Sequence, residues 1–279
     1  MIIDVVARCR NEMPFTERML DGLLRQTGVR ARILFMDCGS TDGSREAAAS
    51  RDLRIEDVEP SAYVPGVVLN RGMELTSSDV VAFINADCIP LEDTALGDLV
   101  APLVAGGSIA ATYARQMPRP DADPLVRLEY ARAFAASGPP RLRNGAFFSM
   151  AASAIRRSAW EALPFDPTLR FSEDVDWKNR IRALGGGIEY VPSSRFEHSH
   201  NYDARGQFTR RRGEGKADAQ IHRLGPPSVV RDLVRPLGGA LVRDARSNQL
   251  SPRGLFIRGA QAMGYFAGRR EAARDSGAR

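Results

Sequence analysis

Apolar runs alternate with amphipathic stretches through the first half of the chain, and that alternation narrows the fold more than any other feature. IIDVVAR (residues 2–8), ARILFMD (31–37), LRIEDV (53–58) and DVVAFINAD (79–87) read as strands, with another expected near 108–114. Between them ERMLDGLLRQ, a short segment from about residue 43, GVVLNRGMEL (66–75) and residues 92–104 read as helices. Strand–helix–strand repetition of this kind builds one mainly parallel, Rossmann-like sheet with helices on both faces, so an α/β fold is expected. Thr16 is placed to cap the first helix, with Met19, Leu20, Leu23 and Leu24 on one side of it. GAFFSMAASAIRRSAW (145–160) is expected to add a strand and a helix.

The 279 residues suit one large α/β domain and an appendage, and the charge divides accordingly. Residues 1–202 carry 23 basic and 27 acidic side chains, whereas 203–279 carry 16 and 7. The expected organisation is a body over 1–202 and a basic helical appendage over 203–279. MIIDVVARCRNE reads as a strand and has neither a basic n-region nor a small-residue cleavage site, which points to the cytoplasm. The longest uncharged apolar run, Leu99 to Ala114, is broken by Pro102, Gly106 and Gly107 and is shorter than the roughly 20 residues a spanning helix needs. Cys9, Cys38 and Cys88 lack metal-ligand spacing and read as reduced packing residues.

In an open α/β sheet ligands bind beyond the carboxyl ends of the strands. Polar residues gather there repeatedly: Arg8, Arg10, Asn11 and Glu12 after the first strand, Asp37, Ser40, Thr41 and Asp42 after the second, Asp57 after the third, Asn85 and Asp87 after the fourth. Each set alone is ordinary turn chemistry; together they line one edge. The dinucleotide fingerprint GxGxxG and the P-loop GxxxxGK[ST] are both missing, which removes the main support for hydride transfer or ATP hydrolysis. An acidic edge with Asp87 closing an apolar strand suits a hard divalent cation that shares its coordination with substrate phosphates.

Two further clusters carry chemistry. RFSEDVDWK (170–178) sets Glu173, Asp174 and Asp176 where a helix begins. Ser172 as N-cap and acids complementing the helix dipole explain part of that pattern, and catalysis by a carboxylate is the competing account. His198 and His200 are two of only three histidines, and their i, i+2 spacing on a strand puts both on one side, within reach of one ion. Histidines hydrogen-bonded at a strand end are the plainer alternative.

VVARCRNE, MDCGSTDGS, LNRG, INADCIP and FSEDVDW followed by FEHSHNY stand in the order and spacing of a family 2, GT-A fold inverting glycosyltransferase, and look most like its bacterial rhamnosyltransferase branch. The resemblance covers about residues 2–215 and implies transfer of a sugar from a nucleoside-diphosphate donor to a saccharide or lipid-linked acceptor in cell-surface polysaccharide synthesis. It implies Ala7, Arg8 and Glu12 around the nucleotide, Asp37 accepting from the base N–H, Asp57 beside the base, and Asn70 and Arg71 over the donor, Arg71 near the diphosphate. Asp87 matches the last acid of the family's DxD motif, which binds Mg²⁺ or Mn²⁺; here the triplet is Asn85-Ala86-Asp87, one carboxylate short. His198, slightly ahead of His200, is implied as a metal or diphosphate contact. Asp174 matches the general base and Glu173 an acceptor-orienting partner, with Asp176 supporting and Trp177 packing, and Arg143 to Phe148 are expected to touch the acceptor.

Beyond residue 203, GLFIRGAQAMGYFAG would put Leu255, Phe256, Ala262, Met263 and Phe266 on one face, with Arg258, Arg269 and Arg270 elsewhere. Packing on the body is the favoured use of that stripe, ahead of a peripheral contact with anionic lipid at the inner membrane or a homo-oligomer contact. A nucleic-acid- or nucleotide-binding protein with a degenerate, inactive GT-A domain is the alternative from another class, but aromatics are few around RRRGEGK and no RRM, KH or helix-turn-helix signature is present, so no nucleic acid is expected.

Overall fold

The computed structural model describes residues 1–136, 138 and 148–277. Along the chain run β1 (Ile2–Cys9), α1 (Phe15–Leu24), β2 (Arg30–Asp37), α2 (Ser44–Ala49), β3 (Arg54–Asp57), α3 (Pro65–Glu74), β4 (Val80–Asn85), β5 (Ile89–Pro90), α4 (Ala95–Val104), β6 (Ile109–Met117), α5 (Pro124–Ala133), β7 (Ala152–Arg156), α6 (Arg157–Ala162), α7 (Glu173–Ala183) and β8 (Gly187–Glu197). Then follow α8 (Ala204–Ile221), a π turn at Val230–Val234, α9 (Arg235–Arg246) and α10 (Pro252–Gly277). Two compact units are distinguished: Met1–Pro120 with Tyr130–Thr168 and Glu173–Ser199, and Asp121–Glu129 with Leu169–Ser172 and His200–Arg279.

In the first unit the strands form one mixed sheet in the order β3-β2-β1-β4-β7-β6-β8-β5. β3, β2, β1 and β4 run parallel, β7 enters antiparallel to both β4 and β6, β8 is parallel to β6, and β5 closes the edge antiparallel to β8. Because side chains alternate across a strand, β1 sends Val5, Ala7 and Cys9 into one core, shared with Met19 and Leu20 of α1 and Leu99 of α4. Val6 points the other way, toward Leu69 of α3 and Trp177 of α7. The chain leaves β2 and β4 on opposite sides of β1, so strand order reverses at β1 and opens a crevice there.

Several local expectations are corrected. Thr16 lies inside α1, which starts after Pro14 without a side-chain cap, and its hydroxyl donates instead to Ser44 Oγ at 3.2 Å. Leu24 is exposed, since the buried stripe ends at Leu23. Asp87 sits beyond β4 rather than closing it, in a turn where Cys88 N donates to Asn85 O. Ser172 has φ 59°, left-handed rather than the extended backbone of an N-cap. Of the 145–160 segment, 152–160 fall in β7 and α6, while residues 139–147, and with them the expected contacts of Arg143 and its neighbours, lie outside the described residues. Phe148 is buried beside Trp177 rather than open to a ligand.

The second unit is helical, and α10 inverts much of the expected pattern, although Ala262 is buried as expected. Phe256 and Met263 are 78% and 58% exposed, whereas Arg258 and Arg269 are 5% and 1% exposed. Acids on neighbouring segments account for the inversion: Asp244 accepts two bonds from Arg258, and Asp232 lies 3.6 Å from Arg269 Nε. The α8–α10 contact is made by small residues; a Cβ on Gly264 or Gly268 would meet the α8 backbone at 2.4 and 2.0 Å.

Candidate active site

Register places the polar edge. Asp57 lies opposite Asp37, Asp37 opposite Cys9, and Arg8 opposite Asn85, so β3, β2, β1 and β4 present their last residues in one row. Two loops behind the row are sewn together: Asn11 N donates to Ser40 Oγ, Thr41 N to Asn11 Oδ1, Glu12 N to Ser44 Oγ and Met13 N to Asp42 Oδ2. Asp37 Oδ2 accepts from Gly39 N and Ser40 N at 3.1 and 3.0 Å, while its buried Oδ1 has no hydrogen-bond partner among the described residues. A buried acceptor left so is what an N–H of a planar base satisfies.

Asp87, 2% exposed, is the centre of charge. Arg119 donates through Nη2 to its Oδ2 at 2.9 Å and to its carbonyl at 3.0 Å, and through Nη1 to Ser199 O at 2.6 Å. That guanidinium is 3.6 Å from the Phe15 ring centroid, and its Nε has no hydrogen-bond partner among the described residues. His198 Nε2 stands 3.4 Å from the same Asp87 oxygen. Gln116 fixes the ring: its Nε2 donates to Ser149 Oγ, which leaves Oε1 to accept from His198 Nδ1 at 2.7 Å. With Nδ1 donating to Gln116, the imidazole turns Nε2 toward the carboxylate oxygen, an arrangement in which the two atoms can share a cation. One oxygen and one imidazole nitrogen fit a divalent ion. His200, two residues on, opens the second unit and stacks on Tyr202 at 5.1 Å.

Glu12 answers to the same charge. Burial, and then the nearby negative charge of Asp87, push its carboxyl up to about 7, with Arg119 opposing. Arg8 links the two sides of the site, donating to Asn85 Oδ1 at 3.0 Å and standing 3.7 Å from Glu173. Asn85 thus serves Arg8 where the family motif has a carboxylate. Asp174, half-buried in the first turn of α7, accepts from Val175 N through Oδ1. Asp176 accepts from Arg180 Nε at 2.6 Å, and Trp177 is fully buried, stacked on Phe165 with its indole N–H on Leu163 O.

Four residues implied around the donor do other work here. Ala7 is fully buried within β1, its methyl in the core. Asp57 is held by two bonds from Arg45, and Arg71 by Glu56 and Glu74 on the surface. Asn70 spends its whole amide on the fold: Oδ1 accepts from Trp160 Nε1 and Phe165 N, and Nδ2 donates to Phe165 O. Conversely, Arg119 and Gln116 were not anticipated, because QMPRPD reads as a strand end running into a loop and their partners lie 32 and 82 positions away.

A mixed sheet with Asp37 and Asp87 at or just beyond its strand ends, His198 beside Asp87, and Arg8 of β1 standing 3.7 Å from Glu173 of α7 has the GT-A architecture of glycosyltransferases. The chain belongs to glycosyl transferase family 2, whose model matches residues 4–163. It is 29% identical over 264 residues to the O-antigen chain rhamnosyltransferase WbaN of Salmonella anatum, covering 88% of this chain and 82% of that one. To the O-antigen chain rhamnosyltransferase RfbN of Salmonella typhimurium it is 27% identical, covering 96% and 90%. Among solved structures, the mannosyltransferase PcManGT of Pyrobaculum calidifontis, in complex with GDP-Man and Mn²⁺, superposes with a TM-score of 0.59 at 18% identity over 99% of this chain and 74% of that one. Glucosyl-3-phosphoglycerate synthase of Mycobacterium tuberculosis, with Mg²⁺ and UDP, gives 0.58 at 22% over 80% of each. These likenesses share the fold; none is to a nucleic-acid-binding protein. Among the described residues no helix is long and apolar enough to cross a membrane.

Proposed function

We propose that this glycosyltransferase moves a deoxyhexose of the rhamnose type from a nucleoside-diphosphate donor to a hydroxyl of a saccharide or lipid-linked glycan in O-antigen-like polysaccharide synthesis. The observation carrying the proposal is the near full-length relationship to two O-antigen rhamnosyltransferases, together with the Asp87–Arg119–His198 cluster beside the β1 crevice. Asp37 Oδ1 accepts from the base, and Arg8 steadies Asn85 and Glu173. Asp87 and His198 would hold Mn²⁺ or Mg²⁺, with His200 a further candidate by its sequence spacing, and the ion held there would supply positive charge against the diphosphate. Arg119 adds fixed positive charge in a buried setting, where it counts most. Asp174 takes the proton of the acceptor hydroxyl as that oxygen bonds to the anomeric carbon and the bond to the diphosphate breaks on the opposite face, inverting the centre.

A thermal-shift panel of dTDP, UDP, GDP and ADP, with and without Mn²⁺, tests the donor site, since a ligand that binds only the folded state raises the melting temperature. A metal-enhanced shift with one nucleotide, lost in Asp87→Ala, is expected; no shift with any of them overturns the assignment. Asp174→Asn is expected to lower kcat by about 10²- to 10⁴-fold with nucleotide binding retained.

The exposed Leu255, Phe256 and Met263 of α10, on a segment rich in arginine, support contact with anionic lipid at the cytoplasmic face of the inner membrane. Co-sedimentation with phosphatidylglycerol vesicles, weakened in Phe256→Ser, is the expected result. A dimer on size exclusion that Phe256→Ser dissociates would assign the stripe to an oligomer contact instead.

A further inference from the structure

The second unit encloses a cavity of about 290 Å³ between the start of α5, α8, α10 and the loop at 248–251. That is at the small end of ligand pockets, suited to a sugar ring rather than a nucleotide. We propose that it binds a neutral saccharide; that its natural occupant is a non-reacting part of the glycan acceptor rests on the transferase proposal.

Charge argues first. Asp123 in the wall is ion-paired with Arg253 at 2.9 Å, and Glu129 with Arg258. Arg258 is committed besides to two bonds with Asp244, so each arginine at the pocket is matched by an acid and the lining carries no net excess of positive charge for a phosphate or carboxylate. A lining whose acids are matched and which still offers polar atoms selects a ligand that is polar and uncharged.

Hydrogen-bond direction argues second. Arg258 can only donate, so Gln261, itself 8% exposed, turns Oε1 to Arg258 Nη1 at 2.9 Å. Its Nε2 then donates to Gln207 Oε1 at 3.1 Å. Gln207 is thereby forced to present its NH₂ group as the free end of the relay. Asn248 and Gln249 add amides that both donate and accept, as sugar hydroxyls do, while Leu125, Leu250 and Ile257 supply apolar wall for the C–H face of a ring. A buried arginine thus sets the amide pattern without facing the ligand itself.

The probes are L-rhamnose, D-mannose and D-galactose, with D-glucuronate and inorganic phosphate as charged counterparts, observed by saturation-transfer NMR on the full chain. At least one neutral sugar is expected to bind in the millimolar range, with no transfer to glucuronate and no phosphate-induced shift. Gln207→Glu keeps the acceptor for Gln261 and the shape but removes the donors, and is expected to weaken sugar binding at least tenfold. Gln207→Leu checks the same loss without added charge. The nucleoside-diphosphate thermal shift, read on the same samples, should be unchanged in both variants; its absence in the wild type would break the donor-site assignment and leave the pocket standing. Failure of every neutral sugar to bind, preference for glucuronate or phosphate, or sugar binding unaltered in both Gln207 variants overturns the pocket.

Discussion

Arg119 and Arg258 are both buried arginines facing an aspartate, yet they are built differently. Arg258 is surrounded: two bonds to Asp244, one to Gln261 and an ion pair with Glu129. Arg119 has Asp87 and Ser199, lies over Phe15, and keeps an Nε with no hydrogen-bond partner among the described residues. Around it stand Glu12, pushed up to about 7, and an imidazole facing the same carboxylate oxygen. A saturated buried network fixes architecture; one that leaves a buried guanidinium nitrogen without a hydrogen bond among the described residues and brings like charges together is suited to binding a ligand.

The contrast can be broken most sharply at Asp244. Asp244→Ala strands a buried guanidinium and should cost about 3–5 kcal/mol in urea unfolding. Replacing both partners, Asp244→Leu with Arg258→Met, should recover most of that loss. At the other arginine the larger effect should fall on ligand: Arg119→Met is expected to weaken nucleoside-diphosphate binding about tenfold, roughly 1.4 kcal/mol by calorimetry, while lowering stability less than Asp244→Ala does. Equal stability losses at the two sites would erase the distinction.

A smaller test lies at Asp4, buried within β1. Burial raises its pKa, but bonds from Arg32, Ser77 N and Ser78 N outweigh burial and hold the carboxyl well below the usual range. Its contribution is present above the unfolded value of about 3.9 and fades as pH falls through the lower folded value. Asp4→Asn should therefore cost about 1–2 kcal/mol at pH 7 and progressively less in acid. Glu12 has the opposite sign: its folded state holds the proton more tightly, so stability is highest below about 4.3 and declines as pH rises through about 7. Glu12→Gln should flatten that decline and gain about 1 kcal/mol or less at pH 8, after allowance for solvent screening.

How much the sequence disclosed follows from the range of the interactions. β1, β2 and β4 are legible because strand patterning is local, and Asp37 and Asn85 follow as the residues ending β2 and β4, with Asp87 in the turn just beyond. The Asp4 anchor, Arg119, Gln116 and the commitment of Asn70 are not, since each depends on a partner 28 to 95 positions away. α10 misleads for a different reason. Its apolar period is genuine, but acids on α9 and the preceding turn, together with close-packing glycines, make the arginine face the cheaper one to bury.

The Asn70 clasp has a consequence for anyone recombining this enzyme with its relatives. One amide binds α3 to Trp160 and Phe165, and Phe165 in turn stacks on Trp177, four residues along α7 from Glu173. Residues 65–74 and 160–177 therefore form a single inheritable cassette: a chimera that exchanges one without the other separates the helix bearing the acidic cluster from the strap that aligns it.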